Sequence, residues 1–161
     1  MYQRLAYVAV MCLGFVVPVW GQEGDGDGPS PQVVVQTCLQ RTGMVTHRTV
    51  HVMRHRAMRC IPIVVHLKQQ GRDDEATEVA ENCIQSINAA AEYGVGRVIQ
   101  ITQRCVGILE ELGAPPNVIN GLLAHSQGLA EHINEVRQNL TQAVLDALNG
   151  DDGGGGDGGG E

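Results

Sequence analysis

Residues 50–67 read VHVMRHRAMRCIPIVVHL, and the spacing of their apolar positions decides the fold class. Val50, Met53, Ala57, Cys60, Val64 and Leu67 follow one another at steps of three, four, three, four and three. That alternation keeps side chains on one side of a rod that turns every ~3.6 residues, so the segment is an amphipathic helix. Pro62 lies inside it and predicts a kink or a division, because its ring removes a helical N–H and crowds the preceding turn.

The same period continues on both sides. Upstream, Ser30-Pro31 is an N-cap and first-turn pair, followed by Val34, Val35, Cys38 and Val45, with Gly43 as a break. Downstream, Gly71-Arg72-Asp73-Asp74 reads as a stop and a new start, with Glu75 and Glu78 placed to meet the helix dipole. A third helix then carries Ala76, Val79, Ala80, Cys83, Ile84 and Ile87 and ends near Gly94. A fourth carries Val98, Thr102, Cys105, Leu109 and Leu112 and ends at Gly113. After Pro115-Pro116-Asn117 comes the longest stripe: Ile119, Leu122, Ser126, Leu129, Ile133, Val136, Leu140, Ala143 and Ala147. The pattern predicts an all-α bundle of about five helices, closed by a long C-terminal amphipathic helix.

Cys38, Cys60, Cys83 and Cys105 stand 22, 23 and 22 residues apart. An even set of cysteines behind a secretory leader predicts a disulfide framework. A shift of 45 residues lays Val34 on Val79, Cys38 on Cys83, Val50 on Val95, Cys60 on Cys105 and Leu67 on Leu112, which reads as a duplicated helical hairpin. On that reading Cys38–Cys60 and Cys83–Cys105 are the favoured pairs, centred on Thr49 and Gly94. The nested alternative, Cys60–Cys83 inside Cys38–Cys105, follows from Gly71 lying near the midpoint of 60 and 83. Each loop of about 23 residues is worth roughly 3 kcal/mol in the chain-entropy account.

The ends have a different composition. Residues 1–21 read as a signal peptide: Arg4 supplies the charge, Leu5 to Trp20 the apolar run, and Val19 and Gly21 the small residues before a cleavage site. Residues 22–30 and 150–161 are Gly- and Asp-rich segments expected to be disordered, leaving 31–149 as the folded domain. No later stretch is apolar enough to predict a membrane span in the mature chain. Without the leader, Tyr93 is the one aromatic left, which argues against sugar platforms, base stacking and nucleic-acid partners. Loss of Arg4 from 11 basic and 18 acidic residues leaves a net charge of −8. From Pro29 to Arg72 there are seven basic residues and no acid, and the expectation is that this basic half packs against the acidic half that follows.

Few residues carry chemistry. His47, His51 and His55 recur every fourth position, the spacing at which two imidazoles share an ion, so they are the candidate metal ligands beside a solvated polar flank. Gly121, His125, Gly128 and His132 form a second stripe whose glycines predict close helix packing. Ala124-His125-Ser126-Gln127-Gly128 imitates a nucleophile elbow, but its serine occupies a core position of a helix and not a strand-to-helix turn. With no phosphate loop and no zinc-spaced cysteines, the expectation is a non-enzyme with no cofactor. Asn139-Leu140-Thr141 is a glycosylation sequon. Met44, Met53 and Met58 would line a cavity if the bundle held one. The expected function is therefore a secreted, extracellular, non-enzymatic binding or interaction protein, with a carrier of small apolar ligands as its most concrete form and an extracellular protein as the other partner class. The alternatives are a membrane-active defence protein using the basic 41–59 segment, or a structural or glandular secreted component.

Overall fold

Three long helices account for almost all of residues 28–150, the part of the chain described by the computed structural model. They are α1 (Pro31–Gln69), α2 (Asp73–Glu111) and α3 (Pro116–Asn149). The expected leader at 1–21 and the expected tails at 22–27 and 151–161 lie outside the described residues. α1 and α2 have 39 residues each and α3 has 34, so the rods run for ~58, ~58 and ~51 Å. Short turns make sequential neighbours antiparallel, and each helix packs on the other two. The chain is all-α among the described residues, and no described helix is long and apolar enough to cross a membrane.

The five expected helices are three because two predicted pairs are continuous. α1 runs through Gly43 and Pro62, and α2 runs through Gly94. A mid-helix glycine costs about 1 kcal/mol and a proline about 3. Ten buried residues along α1, from Val34 to Leu67, outweigh both. Pro62 is exposed, as is Met58, whose carbonyl would otherwise receive the missing N–H, so water can serve that group. The duplicated hairpin is corrected with the count: the 45-residue shift relates one whole helix, α1, to the next.

The two true stops share one construction. Gly71 has φ 70° and Gly113 has φ 66°. At the first, Gly71 N donates to Lys68 O (3.0 Å) and Arg72 N to Leu67 O (3.0 Å). At the second, Gly113 N donates to Glu110 O (3.0 Å) and Ala114 N to Leu109 O (2.9 Å). Both are Schellman closures, in which a left-handed residue lets two trailing N–H groups satisfy the last carbonyls. Asp73, Asp74 and Glu75 then open α2 at its electropositive end. Arg72 beside Glu75 (2.8 Å) holds that carboxyl below its ordinary range.

The continuity of α1 and α2 also corrects the favoured disulfide pairing. Cys38 and Cys60 lie on one helix 22 residues apart, hence ~33 Å, and cannot bond. The structure joins Cys38 to Cys105 and Cys60 to Cys83, with Cα separations of 6.5 and 6.1 Å. Both bonds tie α1 to α2, one toward each end. The regular spacing has a physical cause. Nine steps carry the core stripe from Val34 to Leu67, and nine carry it from Ala76 to Leu109, about 3.7 residues each. That is close to an 11-residue repeat. Two repeats make 22 residues, so both cysteines of a helix return to the same side.

Midway between the bridges, α1 and α2 approach closely. A Cβ built on Gly94 would stand 2.4 Å from Thr49 Cγ2 and Oγ1. Here glycine is a packing residue and not a terminator. Apolar core lies on both sides of this level: Val34, Cys38, Leu109, Ala114 and Leu122 toward one end, and a larger cluster from Val50 to Ala147 toward the other. Between them lie buried hydroxyls at Thr42, Thr46, Thr49, Thr102 and Ser126. Thr42 donates to Cys38 O (2.8 Å), Thr46 to Thr42 O (3.0 Å) and Thr102 to Val98 O (2.8 Å), while Ser126 meets Thr102 across the α2–α3 interface (2.6 Å). Their polar groups are largely satisfied within their own helices, which is what makes their burial tolerable.

Candidate functional site on the outer face of α1

With the α1 stripe turned inward, the rest of that helix projects away from the bundle. Arg41, Met44, His47, Arg48, His51, Arg54, His55, Met58 and Arg59 are all exposed. No acidic residue occurs between Pro29 and Arg72 to break this surface. Arg41 and Arg48 are seven residues apart and Arg48 and Arg59 eleven, so these three cations form a ladder with rungs ~10 and ~16 Å apart.

The basic half packs on the acidic half as expected, through α1 against α2 and α3, but few of its cations are paired there. Lys68 pairs with Asp73 (2.5 Å) across the α1–α2 turn, and Arg72 pairs with Glu75. Arg56, half-buried, donates to the Ser86 carbonyl of α2. Arg41, Arg48, Arg54 and Arg59 make no ion pair or side-chain hydrogen bond among the described residues. Most acids of α2 and α3 are themselves exposed on their own helices.

His47, His51 and His55 lie on the same exposed face. The rings of His51 and His55 are stacked, with centroids 6.4 Å apart and planes 14° from parallel. No group of three His, Cys, Asp or Glu side chains converges on one point among the described residues. The methionines separate: Met53 is fully buried, whereas Met44 is 52% and Met58 74% exposed. The three therefore do not line a common interior surface. A shallow recess of about 450 Å³ is lined by Glu81, Asn82, Ile84, Gln85 and Asn88, all from α2, and is mostly polar.

On α3, Gly121, His125, Gly128 and His132 are exposed, and a Cβ on either glycine would meet nothing within 4 Å. The close packing expected there is found at Gly94 instead. Ser126 is buried against Thr102, which accounts for its place in the elbow-like sequence. Asn139 is exposed on α3, while the Oγ1 of Thr141, two residues on, is buried without a hydrogen-bond partner among the described residues.

Two features escaped the sequence reading. The unpaired state of the arginines depends on which way α1 faces, and no periodicity reveals that. The hydroxyl belt was legible, since Thr42, Thr46 and Thr49 fall on the core phase of α1. Comparison with protein-family models, with curated proteins and with solved structures returns no match.

Proposed function

We propose that this is a non-enzymatic, extracellular binding protein that offers the outer face of α1 to a linear anionic polymer, such as a sulfated or carboxylated polysaccharide. One observation carries the proposal: four exposed arginines on a single helix have no ion-pair partner among the described residues, on a chain whose net charge is acidic. Unpaired cations in a row favour a partner of opposite charge and similar extension, and the acidic faces of α2 and α3 restrict contact to one side. The apolar leader-like residues 1–21 and the paired cysteines support an extracellular setting.

The same face against an anionic membrane is the weaker reading. The apolar stripe of α1 is buried in the bundle, leaving chiefly Met44, Met58 and Ile63 to enter lipid. Retention on immobilised heparin tests the proposal. The protein should bind at low salt and elute as salt rises, since polyelectrolyte contacts are driven by counter-ion release. At about 1 kcal/mol per arginine near an anionic surface, Arg41→Ala/Arg48→Ala/Arg59→Ala should weaken binding roughly 100-fold. The control Arg97→Ala/Arg104→Ala should leave it unchanged. Failure of the parent protein to be retained, or equal retention of both variants, would sink the proposal.

A further inference from the structure

On the same face the non-arginine positions form a sequence of their own. Met44, His47, His51, His55 and Met58 follow at steps of three, four, four and three, symmetric about His51. All five are exposed. Steps of three and four stack side chains along one side of a helix, so each member neighbours the next. None of the five makes a side-chain hydrogen bond or ion pair among the described residues, so their lone pairs have no competing partner. Two thioethers and three imidazoles occupy the most outward-facing stripe of a helix whose other exposed charges are all basic.

We propose that this stripe is a copper-binding site, with His51 and His55 as the primary ligands and Met58, three residues beyond His55, as the flanking soft donor. An imidazole-bound first-row ion has bonds of about 2.0–2.1 Å, which sets ring centroids roughly 5–6 Å apart. The observed 6.4 Å is close to that span, and the stacked rings, 14° from parallel, would turn about their side-chain torsions to bring two nitrogen lone pairs onto one ion. His51 is also four residues from His47, so it belongs to both possible pairs.

Ligand chemistry selects the ion. No carboxylate lies on α1, and Arg48, Arg54 and Arg59 repel any cation held only by charge, which excludes calcium and magnesium. Imidazole ligands bind Cu(II) more tightly than other divalent first-row ions, and thioether sulfur favours Cu(I). The site uses lone pairs and the polymer face uses guanidinium groups, so this inference does not rest on the function proposed above.

The test uses the full disulfide-bonded chain. Titration with Cu(II) should show a site that His51→Asn weakens at least tenfold, with helix content by circular dichroism unchanged. In the parent protein, Cu(II) should broaden the His51 and His55 imidazole resonances while those of His125 and His132 stay sharp. Ag(I), a redox-inert soft probe, should bind at least tenfold more weakly to Met58→Leu, whose Cu(II) affinity should not change. The Arg41→Ala/Arg48→Ala/Arg59→Ala variant should bind Cu(II) no more weakly than the parent. Equal Cu(II) affinity in the parent and His51→Asn proteins, or broadening spread evenly over the histidines, would overturn the site. Unchanged Ag(I) affinity in the methionine variant would remove sulfur from it.

Discussion

Replacing Gly94 with alanine tests the close approach of α1 and α2. Elsewhere in an exposed helix this change stabilises by about 1 kcal/mol, because alanine is the better helix former. At Gly94 the new methyl would stand 2.4 Å from two atoms of the Thr49 side chain and 2.8 Å from its Cβ. Rotating Thr49 moves the first two atoms but not the third, so the helices themselves must part. Overpacking of this kind costs about 1–3 kcal/mol, and the immobile Cβ places Gly94→Ala near the top of that range. The net expectation is a loss of about 2 kcal/mol. With a urea m-value near 2 kcal/mol/M, the unfolding midpoint should fall by about 1 M, disulfides intact. Gly96 is the internal control: it is exposed, with nothing within 4 Å of its built Cβ, so Gly96→Ala should raise the midpoint. In a Thr49→Ala background, where the two 2.4 Å contacts are gone, Gly94→Ala should cost about 1 kcal/mol less. If Gly94→Ala and Gly96→Ala are equally stabilising, the close approach does not exist.

Other perturbations follow from the same packing. Thr141→Val removes a buried hydroxyl that has no hydrogen-bond partner among the described residues and should raise stability by about 1 kcal/mol in the same urea assay; a loss would mean the hydroxyl is satisfied in solution. Removing the outer bridge as Cys38→Ala/Cys105→Ala opens a loop of 67 residues, and removing the inner one as Cys60→Ala/Cys83→Ala opens a loop of 23. The outer deletion should cost about 1 kcal/mol more in the chain-entropy account, and a reversed order in thermal unfolding would contradict nested closure. Glu75 has its folded pKa lowered, first by its hydrogen bond to Arg72. Its contribution is therefore present above the unfolded carboxyl range and lost as pH falls through the folded value. Carboxyl NMR should find Glu75 titrating below the ordinary glutamate range, and Arg72→Gln should raise it toward that range.

Much of this architecture was legible in the residues, and the errors have identifiable causes. The stripes, the Gly71 and Gly113 stops and the extent of α3 follow from period and cap chemistry that act locally. Gly43, Pro62 and Gly94 misled because a breaker's local cost says nothing about the tertiary packing that outweighs it. Gly94 does carry a signal, since it falls in phase with Ile87, Ala91 and Val98 on the buried face, whereas Gly71 and Gly113 are exposed outside their helices. Once α1 and α2 are single rods, the midpoints Thr49 and Gly94 become each other's neighbours and the nested pairing is required. The histidine stripe and its spacing could be read directly. Its place on an unpaired cationic face could not, because the facing of α1 is set by how three helices share one core.

Disulfide mapping by tryptic digestion without reduction tests the antiparallel pairing of α1 and α2 most directly. Cleavage after Arg41, Arg59, Lys68, Arg72, Arg97, Arg104 and Arg137 puts the four cysteines on four separate peptides. Mass spectrometry should find peptide 60–68 joined to peptide 73–97, and the peptide ending at Arg41 joined to peptide 105–137. Peptide 60–68 joined to the one ending at Arg41 would bring Cys60 to Cys38, a bond that one continuous helix cannot make.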